Sequence, residues 1–205
     1  METIERDGNT VRVTSPHIKP GRIKAHRVLK LVTTDCGSTS EYLRLLDSME
    51  PPKVTSELQI PSSTILEMRA RVPRAKFPVH TAVLFGPDAT MISVAEDVGR
   101  HNAVDKAIGE VSLSGRPFSQ LTLICSGRVP ADMVLKVARV GIPIVGSFSG
   151  PVSSGILFAK QSNVTLISFL RRNRLNIYSH FRRIKLPPAH EDLTNQDGSP
   201  KDPKN

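Results

Sequence analysis

The sequence has no tryptophan, only two tyrosines and seven phenylalanines in 205 residues. So little aromatic surface leaves a nucleic-acid reader few platforms for stacking bases. It also makes the core one of Val, Ile, Leu and Ala, the composition of an α/β layer fold. Two cysteines, Cys36 and Cys125, stand far apart with no Cys-x-x-Cys companion. That excludes a disulfide framework and a four-cysteine zinc site, and leaves any thiol chemistry to a single sulfur. No apolar run approaches the ~18 residues a membrane span requires. The opening Met-Glu-Thr-Ile-Glu-Arg-Asp lacks the basic-then-apolar layout of an export signal, so a cytoplasmic protein is expected. Acidic residues are outnumbered: 28 Lys and Arg against 19 Asp and Glu give a formal charge of +9. The excess favours an anionic partner, whether nucleic acid, a nucleotide-bearing cofactor or an acidic protein surface.

What is present is concentrated in residues 96–106, Glu-Asp-Val-Gly-Arg-His-Asn-Ala-Val-Asp-Lys, with seven polar or charged residues in eleven. Residues 82–85 and 91–95 read as two strands joined by the turn Gly86-Pro87-Asp88-Ala89-Thr90. Beyond the polar stretch, Ala103, Val104, Ala107 and Ile108 fall at helical spacing, with Gly109 near the expected helix end. The polar residues therefore occupy a strand-to-helix corner, where free N–H groups and the helix dipole favour an anion. Arg100 adds a planar donor fork, Asp97 or Asn102 is placed to cap the helix, and His101 to face Asp105 one turn on. As a bare pattern, an ordinary helix cap with a solvated first turn explains this polarity equally well.

Residues 10–14, after Asp7-Gly8-Asn9, and 27–32 read as short strands on either side of a loop. Cys36 follows in Thr-Thr-Asp-Cys-Gly-Ser-Thr-Ser, a polar setting unlike that of a buried structural cysteine. It precedes a helix expected at 40–48, whose dipole favours a thiolate; on position alone a free loop cysteine is the simpler account. Residues 49–61, with three prolines, read as a linker, and 63–72 as a helix capped by Ser62 or Ser63. His80 opens the hairpin, where a hydrogen-bonded structural role outweighs a catalytic one, although an imidazole is able to stabilise a thiolate.

The apolar run 121–125 ends in Cys125, which reads as structural. Ser126-Gly127-Arg128-Val129-Pro130 then leads into a helix over 131–140 closed by Gly141, a second arginine-bearing corner. Strands at 142–145 and 164–170 flank a Gly/Ser-rich loop and a helix around 156–159, and Arg171-Arg172-Asn173-Arg174 leaves the last strand. This alternation predicts parallel strands joined by right-handed crossovers. The corners then gather at the carboxyl ends of the strands, where open α/β sheets bind ligands. There the two arginine corners and the 171–174 loop are positioned to meet one polyanion, although any one arginine by itself reads as solvated charge. Residues 187–205, polar with four prolines, predict a disordered tail.

The order of residues is more specific than the pattern. Residues 96–106 resemble, almost letter for letter, the signature of the FdhD family, the formate dehydrogenase accessory sulfurtransferases. Val-His-x-Ala at 79–82, Ser-Gly-Arg-Val at 126–129, Gly-Ile-Pro-Ile at 141–144 and Asn-Ile-Tyr-Ser-His at 176–180 resemble further segments in the same order. The similarity runs from about residue 33 to 184 and is weaker before that. It implies a three-layer, cytidine-deaminase-like α/β sheet with helices on both faces over residues 33–186, a short N-terminal β appendage over 1–32, the tail 187–205, and a homodimer. It implies a sulfurtransferase that takes sulfane sulfur from a cysteine desulfurase as a Cys36 persulfide and delivers it to the molybdenum or tungsten bis-guanine-dinucleotide cofactor before that cofactor enters formate dehydrogenase.

On this resemblance, molybdopterin guanine dinucleotide is a bound client for which guanine nucleotide can substitute, and no permanent cofactor, metal, nucleic acid or membrane is expected. Phe169, Leu170, Arg171, Arg172, Asn173 and Arg174 match the loop that contacts the nucleotide. With Glu96, Asp97, Gly99, Arg100, His101, Asn102, Ser126, Gly127 and Arg128 they make the expected cofactor site, and Cys36 and His80 are the expected catalytic residues. Three departures stand out. Thr39 replaces the second cysteine of the family's Cys-Gly-x-Cys, the longer amino-terminal region is largely missing, and Ala-Pro-Thr-Ser is Gly150-Pro151-Val152-Ser153. The first two departures favour, as alternative, a relative that binds cofactor or nucleotide without moving sulfur; the third, which loses a hydroxyl, bears on substrate closure or partner docking. A zinc deaminase, suggested by the implied fold alone, would need His-x-Glu and Pro-Cys-x-x-Cys, where this chain has His80-Thr81-Ala82 and no cysteine pair.

Overall fold

The computed structural model describes residues 3–8, 10–14 and 51–187. The loop of Cys36, the strand expected at 27–32, the helix expected at 40–48 and residues 188–205 lie outside the described residues. The chain divides into two units, Met1–Glu50 and Pro51–Asn205. In the first, β1 (Thr3–Asp7) and β2 (Thr10–Thr14) form an antiparallel hairpin in which Thr3 pairs with Thr14 and Asp7 with Thr10.

The second unit runs β3 (Ile60–Pro61), α1 (Ser62–Arg71), β4 (His80–Phe85), β5 (Met91–Asp97), α2 (Arg100–Leu113), β6 (Thr122–Cys125), α3 (Ala131–Val140), β7 (Ile144–Ser147), α4 (Ser153–Gln161), β8 (Thr165–Ser168), β9 (Asn176–Ile177) and β10 (Ile184–Lys185). Six strands make one sheet in the order β5-β4-β6-β7-β8-β9, while β3 and β10 pair parallel. The hairpin expected at Gly86–Thr90 is present, closed by Gly86 N–H donating to Thr90 O at 2.9 Å. Parallel pairing holds for β6-β7-β8, whereas β4 is antiparallel to both β5 and β6, and β9 to β8.

This topology fixes where the helices lie. Because β5 and β6 are each antiparallel to β4, they run parallel to one another, and the chain steps β5 to β6 to β7 to β8 in one direction across the sheet. Right-handed crossovers taken in one direction place their helices on the same face, so α2, α3 and α4 share a face. Period-two alternation along the strands sends Val83, Phe85, Ile124, Ile144 and Ile167 to the other face. There they pack with Ile65 and Met68 of α1 and with Leu58 and Ile60, all buried.

Three sequence expectations are corrected. The helix after residue 99 continues through Gly109 to Leu113, because Val111 extends the buried stripe of Ala103, Val104, Ala107 and Ile108. The helix before the hairpin begins at Ser62, and its N-cap is Pro61 with no side-chain cap bond; proline's fixed φ starts the turn instead of a serine hydroxyl. Residues 51–61 are not a loose linker, since Val54, Leu58 and Ile60 are buried. Arg183, 2% exposed, donates from Nε and Nη2 to Ser56 O at 3.2 and 3.0 Å, fastening that segment to the last turn.

Candidate functional site

The register brings the corners together. Asp97 at the end of β5 lies opposite His80 at the start of β4, Ala82 lies opposite Cys125 at the end of β6, and Cys125 lies beside Ser147 at the end of β7. The loops after β5, β6 and β7 therefore leave one end of the sheet.

In the first corner most polar side chains answer one another. Asp97 Oδ1 accepts from Gly99 N–H at 2.8 Å and from Asn102 Nδ2 at 3.2 Å, and Oδ2 pairs with Lys106 Nζ at 2.6 Å. The Lys106 contact, then the Gly99 N–H, holds the Asp97 carboxyl at about 2. The helix N-cap is Gly99, without a side-chain cap bond; Asp97 anchors the corner from the strand end and Asn102 is spent on Asp97. His101 takes Asp132 instead of Asp105 as its ion-pair partner: its Nε2 lies 3.5 Å from Asp132 Oδ2 on α3, and Asp105 pairs with Lys136 Nζ at 2.6 Å. Burial, chiefly, holds the His101 pKa below its usual value, opposed by Asp132.

The second corner touches the first. Ser126 Oγ accepts from Thr81 N–H at 3.0 Å and sits 3.2 Å from His80 Nδ1. Gly127 O accepts from Ser147 Oγ at 2.7 Å, and Ser149 Oγ donates to Ser126 O at 2.9 Å. A Cβ on Gly127 would stand 2.8 Å from Arg100 Cβ and 3.4 Å from His80 Nδ1; only a residue without a side chain lets the corners meet this closely. Ser126, Gly127, His80 and Arg100 are thus one cluster, while Arg128 is exposed. Cys125 is structural as expected: it is buried, its thiol lies 3.5 Å from Gly127 O, and burial pushes its pKa up to about 12.

On the α1 side of the same sheet end lies a cavity of about 570 Å³. Arg69, Arg74 and Arg172 line it together with Thr81, Ser126 and Phe148, and no lining residue is acidic. The Arg69 guanidinium lies over the Phe148 ring, 3.9 Å from its centroid, a cation–π stack. Arg171 holds the neighbouring backbone by donating to Phe148 O. Leu170 N–H donates to Ser147 O, and Phe169, at φ 50°, donates its N–H to Ser149 O.

Of the expected loop residues, Leu170 puts its side chain in the core. Residues 171–174 are exposed, Arg172 lining the cavity. Arg69, Arg74 and Phe148 were missed by the sequence reading. The available signal was three arginines in Arg-Ala-Arg-Val-Pro-Arg at 69–74. Among the described residues no group of three or more His, Cys, Asp or Glu side chains is placed to hold a metal, and no helix is long and apolar enough to cross a membrane.

The FdhD/NarQ family profile matches residues 1–185, so the match includes the amino-terminal stretch where the sequence resemblance was weak. A protein of Thermoplasma acidophilum named sulfur carrier protein FdhD is 41% identical over 138 residues, covering 64% of this chain and 49% of that protein. The same name is carried by a Nocardia farcinica protein, 35% identical over 191 residues, covering 89% and 68% of the two chains. A crystal structure from Desulfotalea psychrophila, described as a formate dehydrogenase accessory protein, superposes with a TM-score of 0.60 at 32% identity, over 69% of this chain and 62% of that one. The chain spans about half the length of the Thermoplasma relative.

Proposed function

The chain belongs to the FdhD/NarQ family, and on that premise we propose that it is a sulfur carrier acting on a nucleotide-bearing metal cofactor. Cys36 takes sulfane sulfur from a cysteine desulfurase: its thiolate attacks the outer sulfur of the donor's persulfide, a sulfur–sulfur bond forms, and the donor cysteine leaves as a thiolate. The sulfur then passes to the molybdenum or tungsten bis-guanine-dinucleotide cofactor used by formate dehydrogenase. Binding and orientation of that client fall to the sheet end. The observation that carries this reading is the cavity there, lined by three arginines and no carboxylate, beside the contact of His80, Arg100 and Gly127. Arginine forks suit phosphate oxygens, and two relatives share the name sulfur carrier.

Intact-mass spectrometry after incubation with a cysteine desulfurase and cysteine tests it. Wild type gains one sulfur, removable by reductant, and Cys36→Ala gains none. A Cys36→Ala chain that still restores formate dehydrogenase activity would sink the carrier role. Thr39, standing where the family has a second cysteine, favours one other reading: a cofactor- or nucleotide-binding relative that no longer moves sulfur. For that reading, guanine nucleotide binds while Cys36 stays unmodified.

A further inference from the structure

The single turn of 3-10 helix at Phe181–Arg183 leaves a large apolar side chain in solvent on a backbone that is held from several sides. Phe181 is 76% exposed and adds nothing to the core cluster. The residue before it, His180, adopts the left-handed region at φ 44°, which a side chain of that size takes only where its surroundings impose it. Two contacts do so: Thr165 Oγ1 donates to His180 O at 2.8 Å, and His180 Nε2 lies 2.9 Å from Lys160 O. Asn163, also left-handed at φ 55°, accepts at Oδ1 from Arg182 Nη2 at 3.3 Å and from Arg183 Nη1 at 3.5 Å, while its Nδ2 donates to Val54 O at 2.6 Å. A lone exposed phenylalanine is ordinary on a surface; one presented by strained and multiply bonded backbone is not. The charge around it is of one sign. Lys160 in the last turn of α4, Arg182 and Lys185 are exposed, and among the described residues none of the three lies within ion-pair distance of a carboxylate. Glu57 offsets the buried Arg183. Leu157, 50% exposed, lies one turn back on the same stripe of α4 as Lys160.

We infer that Phe181, flanked by Lys160 and Arg182, is the anchor of a docking surface for an acidic amphipathic segment of a protein partner, the phenylalanine entering the segment's apolar face and the two cations meeting its carboxylates. A fixed aromatic side chain loses little freedom on binding, which is why such residues dominate interfaces. The uncompensated cations set the sign of the partner. One phenylalanine is a single stacking platform, whereas a single strand of nucleic acid takes a row of them. Thr165 opens β8, and β8 runs parallel to β7 and β7 to β6. The surface therefore lies at the end of the sheet opposite the loops that follow β5, β6 and β7, and a partner docked on it leaves the candidate site open.

Fluorescence anisotropy of the full chain with a labelled peptide of Glu and Leu at helical spacing tests it. Phe181→Ala weakens binding on the order of 10-fold or more and leaves the thermal melt where it was, since the side chain is in solvent. Phe77→Ala removes a phenylalanine of similar exposure, 74%, from the segment that leads into β4 and leaves binding intact. Lys160→Glu with Arg182→Glu abolishes binding of the Glu-Leu peptide and confers binding of a Lys-Leu peptide of the same spacing. Should the loss of the Arg182 bond to Asn163 unfold the double variant, Lys160→Glu alone makes the same test. A wild type that does not bind the Glu-Leu peptide overturns the surface, as does an affinity unmoved by Phe181→Ala. A loss produced by Arg74→Glu instead of by Lys160→Glu puts the peptide in the arginine-lined cavity and also overturns it. Single-stranded oligouridine, or phosphatidylglycerol vesicles, held through Phe181 and Arg182 more tightly than the peptide would replace the protein partner with a nucleic acid or a membrane.

Discussion

Asp97 shows how far a single residue's neighbours can change its role. Lys106, Gly99 N–H and Asn102 together bring its pKa from 3.8 to about 2. A carboxyl whose folded pKa is depressed stabilises the fold above its unfolded pKa, and that stability is lost as pH falls through the folded value. The 97–106 corner should therefore loosen between about pH 4 and pH 2. Thermal unfolding followed across that window should show a dependence on pH in wild type that flattens in Asp97→Asn. An unchanged slope would mean that Asp97 does not organise the corner. Residue order revealed this stretch as a signature, but Asp97's partner Lys106 and His101's partner Asp132 had no local spacing to announce them, the latter because it comes from another helix.

Among the elements, α4 is placed by contact with the corner ahead of α3. A Cβ on Gly155, in the first turn of α4, would stand 2.0 Å from Val129 O, a backbone atom that cannot swing aside. Gly155→Ala should consequently push α4 away from residues 129–130 and cost on the order of 1–3 kcal/mol or more, as overpacking does. The denaturant midpoint should fall with the m-value unchanged; no shift would mean that α4 sits further from the corner. The strand and helix order was legible because apolar periodicity and turn residues are local. The helix break expected at Gly109 was not, because burial of Val111 outweighs glycine's intrinsic cost of about 1 kcal/mol.

At the scale of the molecule, Arg183 joins the two ends of the second unit. Its guanidinium donates twice to Ser56 O across 127 residues of chain, while Val54 N–H donates to Ser162 O at 2.9 Å and Val54 O accepts from Asn163 Nδ2 at 2.6 Å. Arg183→Ala should leave Ser56 O unpaired and free the segment 51–60. Hydrogen exchange at Val54 and Leu58 should rise well before exchange in β4 or β6; uniform acceleration everywhere would mean that the arginine serves global stability instead. A linker-like sequence, rich in proline, becomes part of the core because a distant arginine holds it there.

The sequence by itself determined the family, the α/β alternation, the two arginine-bearing corners and the structural character of Cys125, since each resides in residue order or short-range periodicity. Tertiary structure alone decided that β4 is inserted antiparallel between β5 and β6, that Gly127 presses the corners together through Arg100 and His80, and that the cationic cavity lies on the α1 side with Arg69 stacked on Phe148. These depend on sheet order and on the face each strand turns to its helices. Residues tens of positions apart become neighbours only once the crossovers are made.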